Sequence, residues 1–188
     1  MRAALAALLL ATAVGAGAAE APPGEVTVQG GPDGGVPGWV LHARAPSGWT
    51  ADCCAYARAI GVNLVMYQGE WSGEPDRVMV LNVWPRELPS LDAELDADRK
   101  RYLQRDPAAR VGRFPVRHRG MACEAQVFEG SDGIDDAVVF CEPGRAAGVR
   151  LSWSVSFHDA DPRRAALLAD FMQVVVGTRY RRGTRAPR

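Results

Sequence analysis

Val149-Arg150-Leu151-Ser152-Trp153-Ser154-Val155-Ser156-Phe157-His158 alternates apolar and polar side chains without a break. Successive side chains of a strand point to opposite faces, so a period of two predicts one strand with a core face and a wet face. Val149, Leu151, Trp153, Val155 and Phe157 form the core side; Arg150, Ser152, Ser154, Ser156 and His158 form the other. A sheet that buries one face needs cover, which helices with one apolar stripe each supply.

Two segments offer that cover. After the strand, Asp161-Pro162 reads as an N-cap followed by proline in the first helical position, and Leu168, Phe171, Met172 and Val175 then recur at helical spacing up to Gly177. Earlier, Ser90 can cap a helix whose first turns carry Asp92, Glu94, Asp96 and Asp98 and whose later turns carry Arg99, Lys100, Arg101 and Arg105. Those charges suit the helix dipole. Leu88, Leu91, Leu95 and Tyr102 make a narrow apolar stripe on this surface helix, which Pro107 ends.

The remaining strands come in pairs. Residues 62–68 and 78–84 are β-rich runs separated by turn formers, and residues 121–128 and 137–142 flank a second loop, Glu129-Gly130-Ser131-Asp132-Gly133-Ile134-Asp135-Asp136. Residues 39–44 give one more strand, turned by Pro46-Ser47-Gly48 toward Trp49. The order strands, helix, strands, helix with short loops predicts an α+β fold: an antiparallel sheet covered on one face by two helices.

Ahead of this unit, residues 1–19 have Arg2, an apolar run and Ala16-Gly17-Ala18-Ala19, the order of charge, apolar core and small residues in a cleaved export signal. No cysteine lies near the cut, and the run is short for a membrane span. The expected location is extracytoplasmic, periplasmic or secreted, with no transmembrane segment after cleavage. Residues 20–37, rich in proline and glycine, read as a leader or loose first strand around Val26 and Val28; residues 38–180 as one domain; residues 181–188 as a basic tail. Loss of Arg2 leaves 21 basic against 22 acidic groups. A balance so near neutrality provides no field to gather nucleic acid or an anionic membrane.

The layout, with Ala45-Pro46-Ser47-Gly48-Trp49, the run Met66-Tyr67-Gln68-Gly69 before a loop holding Trp71-Ser72, Leu91 opening a charged helix, and Gly177-Thr178-Arg179-Tyr180 at the close, resembles PsbP-like domains over residues 39–180. More narrowly it resembles exported bacterial PsbP-like domain proteins. The photosystem members of that fold are non-catalytic accessory subunits, so the resemblance implies binding, and it brings no active-site motif. Asp52-Cys53-Cys54 and the proline-rich leader depart from the pattern.

Cys123 and Cys141 fall opposite each other if the second hairpin turns near Asp132 and Gly133, so they are the expected disulfide. Cys53 and Cys54 leave free thiols, an intermolecular link and pairing to the second hairpin all open. No Cys-x-x-Cys marks a redox centre, and no cofactor is implied. His42, His118 and His158 stand apart with no zinc spacing, and Ser152, Ser154 and Ser156 lack a Gly-x-Ser-x-Gly elbow. Asp132, Asp135 and Asp136 lack calcium-loop spacing. No catalytic or metal residues are therefore assigned. Trp71 sits among glycine, glutamate, serine and proline, where nothing in the sequence requires a core, with Tyr67 close by; these two are the candidate contact residues. The expected function is binding of a protein, envelope component or small ligand, against the alternatives of a hydrolase using the polar sheet face and a purely structural envelope protein. Intact-mass measurement of exported protein should find an amino terminus between Ala19 and Pro22; retention of residues 1–18 would refute the signal.

Overall fold

The computed structural model describes residues 24–31, 37–71, 75 and 77–183. Within them the chain forms strands β1 (Glu25–Gly30), β2 (Trp39–Arg44) and β3 (Thr50–Asp52), helix α1 (Tyr56–Ala59), and strands β4 (Leu64–Gln68) and β5 (Arg77–Pro85). There follow helix α2 (Leu91–Arg105), strands β6 (Arg110–Phe114), β7 (Ala122–Glu129), β8 (Ile134–Glu142) and β9 (Val149–His158), helix α3 (Arg164–Gly177) and strand β10 (Arg179–Arg182). The α+β class with antiparallel strands is as the sequence predicts.

Seven strands make the main sheet in the order β3-β4-β5-β9-β8-β7-β6, with every neighbour antiparallel. The alternating strand β9 lies at its centre, between β5 and β8. Leu151, Trp153 and Val155 are buried on its inner face with Leu64, Met66, Met79, Leu81 and Val139. Against this face pack α3, through Leu167, Phe171, Val174 and Val175, and a second sheet of order β1-β2-β10, through Val28, Trp39, Leu41 and Ala43. Burying a side chain of this size contributes about 1.5–3 kcal/mol, so this layer is the largest source of apolar burial in the fold.

The cover differs from the expected single sheet under two helices in two respects: β2 belongs to a second sheet that shares the inner face with α3, and the helices do not lie on one face. The two helices lie on opposite faces of the main sheet. Helix α2 rests on the outer face, where Tyr102 stacks on Phe128 at 4.1 Å and Asp98 accepts a hydrogen bond from Gln126 at 2.9 Å. The reason is Arg150. It belongs to the polar face of β9, yet none of it reaches solvent, and its guanidinium contacts Glu94 of α2 at 3.3 Å and Glu142 of β8. Arg86 also contacts Glu142, at 3.1 Å. Two guanidiniums and two carboxylates thus meet with matched charge, which a buried arginine requires because it cannot lose its proton. The polar face of β9 is consequently dry at Arg150 and Ser152 and wet only from Ser154 onward.

Helix α2 starts as read: Ser90 Oγ accepts from the Ala93 amide at 3.2 Å. Helix α3 starts later, at Arg164, and Asp161 instead organises the turn before it, accepting from the Arg163 amide at 2.7 Å. Strands also lie at both ends of the described chain, the first of them at the loose strand read around Val26 and Val28. Residues 25–30 of the expected leader form β1, and the first residues of the expected tail belong to β10; both pair with β2, at its two edges. Val28 supplies the reason, since it turns into the core at 6% exposure. The expected export signal lies outside the described residues. Among those residues no helix is long and apolar enough to cross a membrane.

The second hairpin has the expected register. Cys123 faces Cys141 across β7 and β8 with their Cα atoms 4.2 Å apart and their sulfurs bonded. The turn needs glycine at 130, because a Cβ there would lie 2.2 Å from the Ile134 carbonyl oxygen. Arg150→Met should destabilise the protein by about 3–5 kcal/mol in urea unfolding, since it strands Glu94 without a countercharge. A loss below about 1 kcal/mol would show that α2 docks without the ion cluster.

Candidate functional site

The outer face is covered at one end by α2 and at the other by α1. Between them it stays open. The groove there has a volume of about 310 Å³, a floor of Val78, Val80 and Ser154, and a rim that includes Ser156, His158 and Ile134. Its far end is closed by an ion pair between Arg77 of β5 and Asp161, 2.7 Å apart, and Arg77 also donates to Gln68 at 3.2 Å. The Arg77 hydrogen bond, followed by the Arg163 amide, holds the Asp161 carboxyl below its usual range. Beyond Ser156, on the α2 side, its hydroxyl bonds directly to Asp136, the residue opposite it on β8.

On the α1 side the groove borders an aromatic cluster. Trp71 stacks on Tyr56 at 4.8 Å, and Tyr67 meets both rings edge-on, at 5.2 Å from Trp71 and 5.9 Å from Tyr56. Tyr67 and Trp71 join Ala57, Val62, Val65, Val78 and Val80 in an apolar cluster separate from the main core, and Tyr56 lies on its outside against both rings. Trp71 is half-buried, so a packing role accompanies any contact role. Tyr67, at 7% exposure, supports the other rings and presents little surface, and burial, with the Tyr56 and Asp52 charges behind it, pushes its phenol up. The solvent-facing ring is Tyr56, at 38% exposure.

Tyr56 escapes sequence reading because α1 has only four residues and no apolar periodicity. The signal that could have found it is Asp52. This carboxylate accepts from the amides of Cys54, Tyr56 and Ala57 at 3.1, 2.7 and 3.0 Å, turning the chain so that Tyr56 lands beside Trp71. Burial opposes ionisation of Asp52, but these amides outweigh it and its pKa is lowered.

The three histidines occupy three separate places. His42 Nδ1 lies 3.0 Å from Thr27 Oγ1 and 3.3 Å from Glu25 on the small sheet. His118 Nδ1 accepts from the amides of Gly120 and Met121, each at 3.0 Å, which leaves Nε2 to donate to the Thr178 carbonyl at 2.9 Å. Both nitrogens therefore fasten the loop before β7 to the end of α3. His158 alone borders the groove. The aspartates of the hairpin loop diverge as well: Asp132 caps the Ile134 amide at 3.0 Å, Asp135 pairs with Arg164 at 2.9 Å on the inner side, and Asp136 bonds Ser156 on the outer side. Adjacent strand residues face opposite ways, so Asp135 and Asp136 do not converge on one ion. Among the described residues no three metal-capable side chains cluster.

No protein-family model matches the chain, and no curated protein does. Among solved structures, the solution structure of cyanobacterial PsbP (CyanoP) from Synechocystis sp. PCC 6803 aligns with a TM-score of 0.51 at 15% identity, covering 90% of this chain and 98% of that one. The chain therefore has a PsbP-like fold. At that identity the likeness carries architecture and no activity.

Tyr102 lies against the sheet beside Asp136, and burial together with the Asp136 charge pushes its phenol up to about 12. In the unfolded chain the phenol ionises near 10.0. The folded state thus binds more protons between those values, so the contribution is complete below the lower and lost as pH rises toward the upper. Tyr102→Phe should accordingly lose less stability than the parent between about pH 9 and about pH 11, measured by urea midpoints. Equal losses would place the alkaline transition elsewhere.

Proposed function

We propose that this is an extracytoplasmic binding or accessory protein that engages a partner or small ligand through the outer sheet face, with Trp71 and Tyr56 as anchors and the Val78–Val80 floor as the adjoining seat. The observation that carries the reading is the uncovered stretch of sheet between α2 and the aromatic cluster. An antiparallel sheet commonly leaves one face to solvent, but here an apolar floor, hydroxyls, an ion pair and stacked rings lie together on that face, a combination that suits contact with a partner or ligand. Aromatic rings contribute large contact area with few rotatable bonds, the property of interface anchors. Export is supported by the amino-terminal pattern and by the paired cysteines of the second hairpin, which an oxidising compartment favours. The accessory role is supported by analogy with the photosystem members of the fold.

The polar face gives less support to a hydrolase. Ser156 bonds Asp136 directly, and no hydrogen bond joins His158 to either among the described residues, so the base needed to activate the hydroxyl does not stand between them. An assembled nucleophile, base and orienting acid would reverse that judgement.

Backbone amide shifts of isotope-labelled protein titrated with fractionated envelope extract test the proposal. Shifts concentrated at residues 56–71, 77–80 and 154–158 are the expected result; shifts confined to α3 and the small sheet would overturn it. Trp71→Ala should leave the domain folded, with a melting temperature a few degrees lower because about 0.5–1.5 kcal/mol of ring pairing is lost, and should weaken the active fraction about tenfold or more. Val80→Arg, which fills the floor with charge, should weaken it too. Unchanged binding in both variants would remove the site.

A further inference from the structure

Cys53 and Cys54 stand outside the disulfide hairpin, whose two cysteines are bonded to each other. Their sulfurs are 2.7 Å apart. Cys53 packs against the main core, whereas Cys54 is exposed at the start of the Asp52 turn. We infer that these adjacent residues are a reversible dithiol–disulfide pair, oxidised by a low-molecular-weight disulfide, whose state is transmitted through the Asp52 turn to the Tyr56–Trp71 stack.

The chemistry follows from exposure and proximity. The Cys54 thiolate, the one solvent reaches, attacks a sulfur of the small disulfide, forming a mixed disulfide and releasing one thiolate. Cys53 then loses its proton and attacks the Cys54 sulfur, closing the Cys53–Cys54 bond and expelling the second thiolate. The two cysteines give up two electrons and two protons; the small disulfide takes both electrons and ends as two thiols. The sulfurs resist ionising together: hydrogen bonding to Cys54, then burial, then the neighbouring charge push the Cys53 thiol up. An exposed attacking thiol and a protonated resolving thiol at contact distance fit that order.

Reversibility follows from covalent constraint. Adjacent residues joined by a trans peptide close such a ring only by twisting that peptide, and a strained bond of this kind is readily reduced. The same twist moves the Cys54 amide, which Asp52 holds at 3.1 Å by the oxygen that also holds Tyr56 and Ala57. Displacing that shared acceptor shifts Tyr56, 4.8 Å from Trp71. The inference does not depend on the proposed binding function, because both its readouts are properties of the isolated protein.

Purified protein equilibrated across ratios of oxidised to reduced glutathione, acid-quenched, labelled with N-ethylmaleimide and peptide-mapped provides the test. The expected result is that the peptide bearing both cysteines becomes lighter by two hydrogens and takes up no maleimide, that dithiothreitol under mild conditions restores both labels, and that the hairpin pair stays bonded throughout. Tryptophan fluorescence should change in step, and the change should vanish in Trp71→Phe. Cys53→Ser should stop at a glutathione adduct on Cys54. An adduct persisting on Cys54 of the parent with Cys53 still labelled, or dimers joined through Cys54, would overturn the pair; closure without a fluorescence change would overturn its coupling to the aromatic rings.

Discussion

Arg150 has no contact with water, and its guanidinium keeps its charge at any ordinary pH. That combination constrains the rest of the molecule. Glu142 reaches it from the neighbouring strand but also serves Arg86, so electrical balance at the cluster requires Glu94, and Glu94 brings α2 with it. The helix then lies over β7 and β8 on the outer face, and only α3 and the small sheet remain to cover the inner one. Hydrophobic burial alone is non-directional and would allow α2 several seats. The ion cluster selects one.

The position of α2 decides where the sheet stays open. With one end of the outer face under α2 and the other under α1 and its rings, the middle strands β5 and β9 expose Val78, Val80 and Ser154. The groove is thus a remainder of the packing, and its chemistry is that of strand residues whose cover is absent. Two of its features exceed a mere remainder. Arg77 is held by both Gln68 and Asp161, which fixes one end of the groove across segments far apart in sequence, and three aromatic rings, two stacked and one edge-on, lie along its border.

Much of this was legible in the sequence, for identifiable reasons. The alternation in β9 gave a strand with a core face because every inner position is apolar. The turn residues around Asp132 and Gly133 placed Cys123 opposite Cys141, since in an antiparallel pair a turn fixes the register of all that follows. Ser90 announced α2. What misled was the same alternation read too literally: Arg150 and Ser152 look wet on the pattern of two, and only the chain 56 residues earlier, at Glu94, reveals that they are covered. Proline and glycine around β1 left a leader and a loose first strand both open, because the pairing that makes it a strand comes from β2. Pattern within a segment reports which way a side chain points; it carries no information about what lies there.

Trp71 illustrates the limit at the site itself. Its neighbours in sequence offer no core, and from that alone an exposed contact residue follows. Its neighbours in space are Tyr67, four residues earlier on β4 and legible in the sequence, and Tyr56, placed by the amide-binding carboxylate of Asp52 and not encoded near residue 71. A half-buried tryptophan on a small satellite cluster is held by few partners, so its packing and any binding compete for the same ring faces. That competition makes the Asp52 turn the point of control in the proposed dithiol pair: a shift of one amide-held tyrosine alters how much of the Trp71 ring is available, without disturbing the core beneath β4, where Leu64 and Met66 lie fully buried on the opposite face.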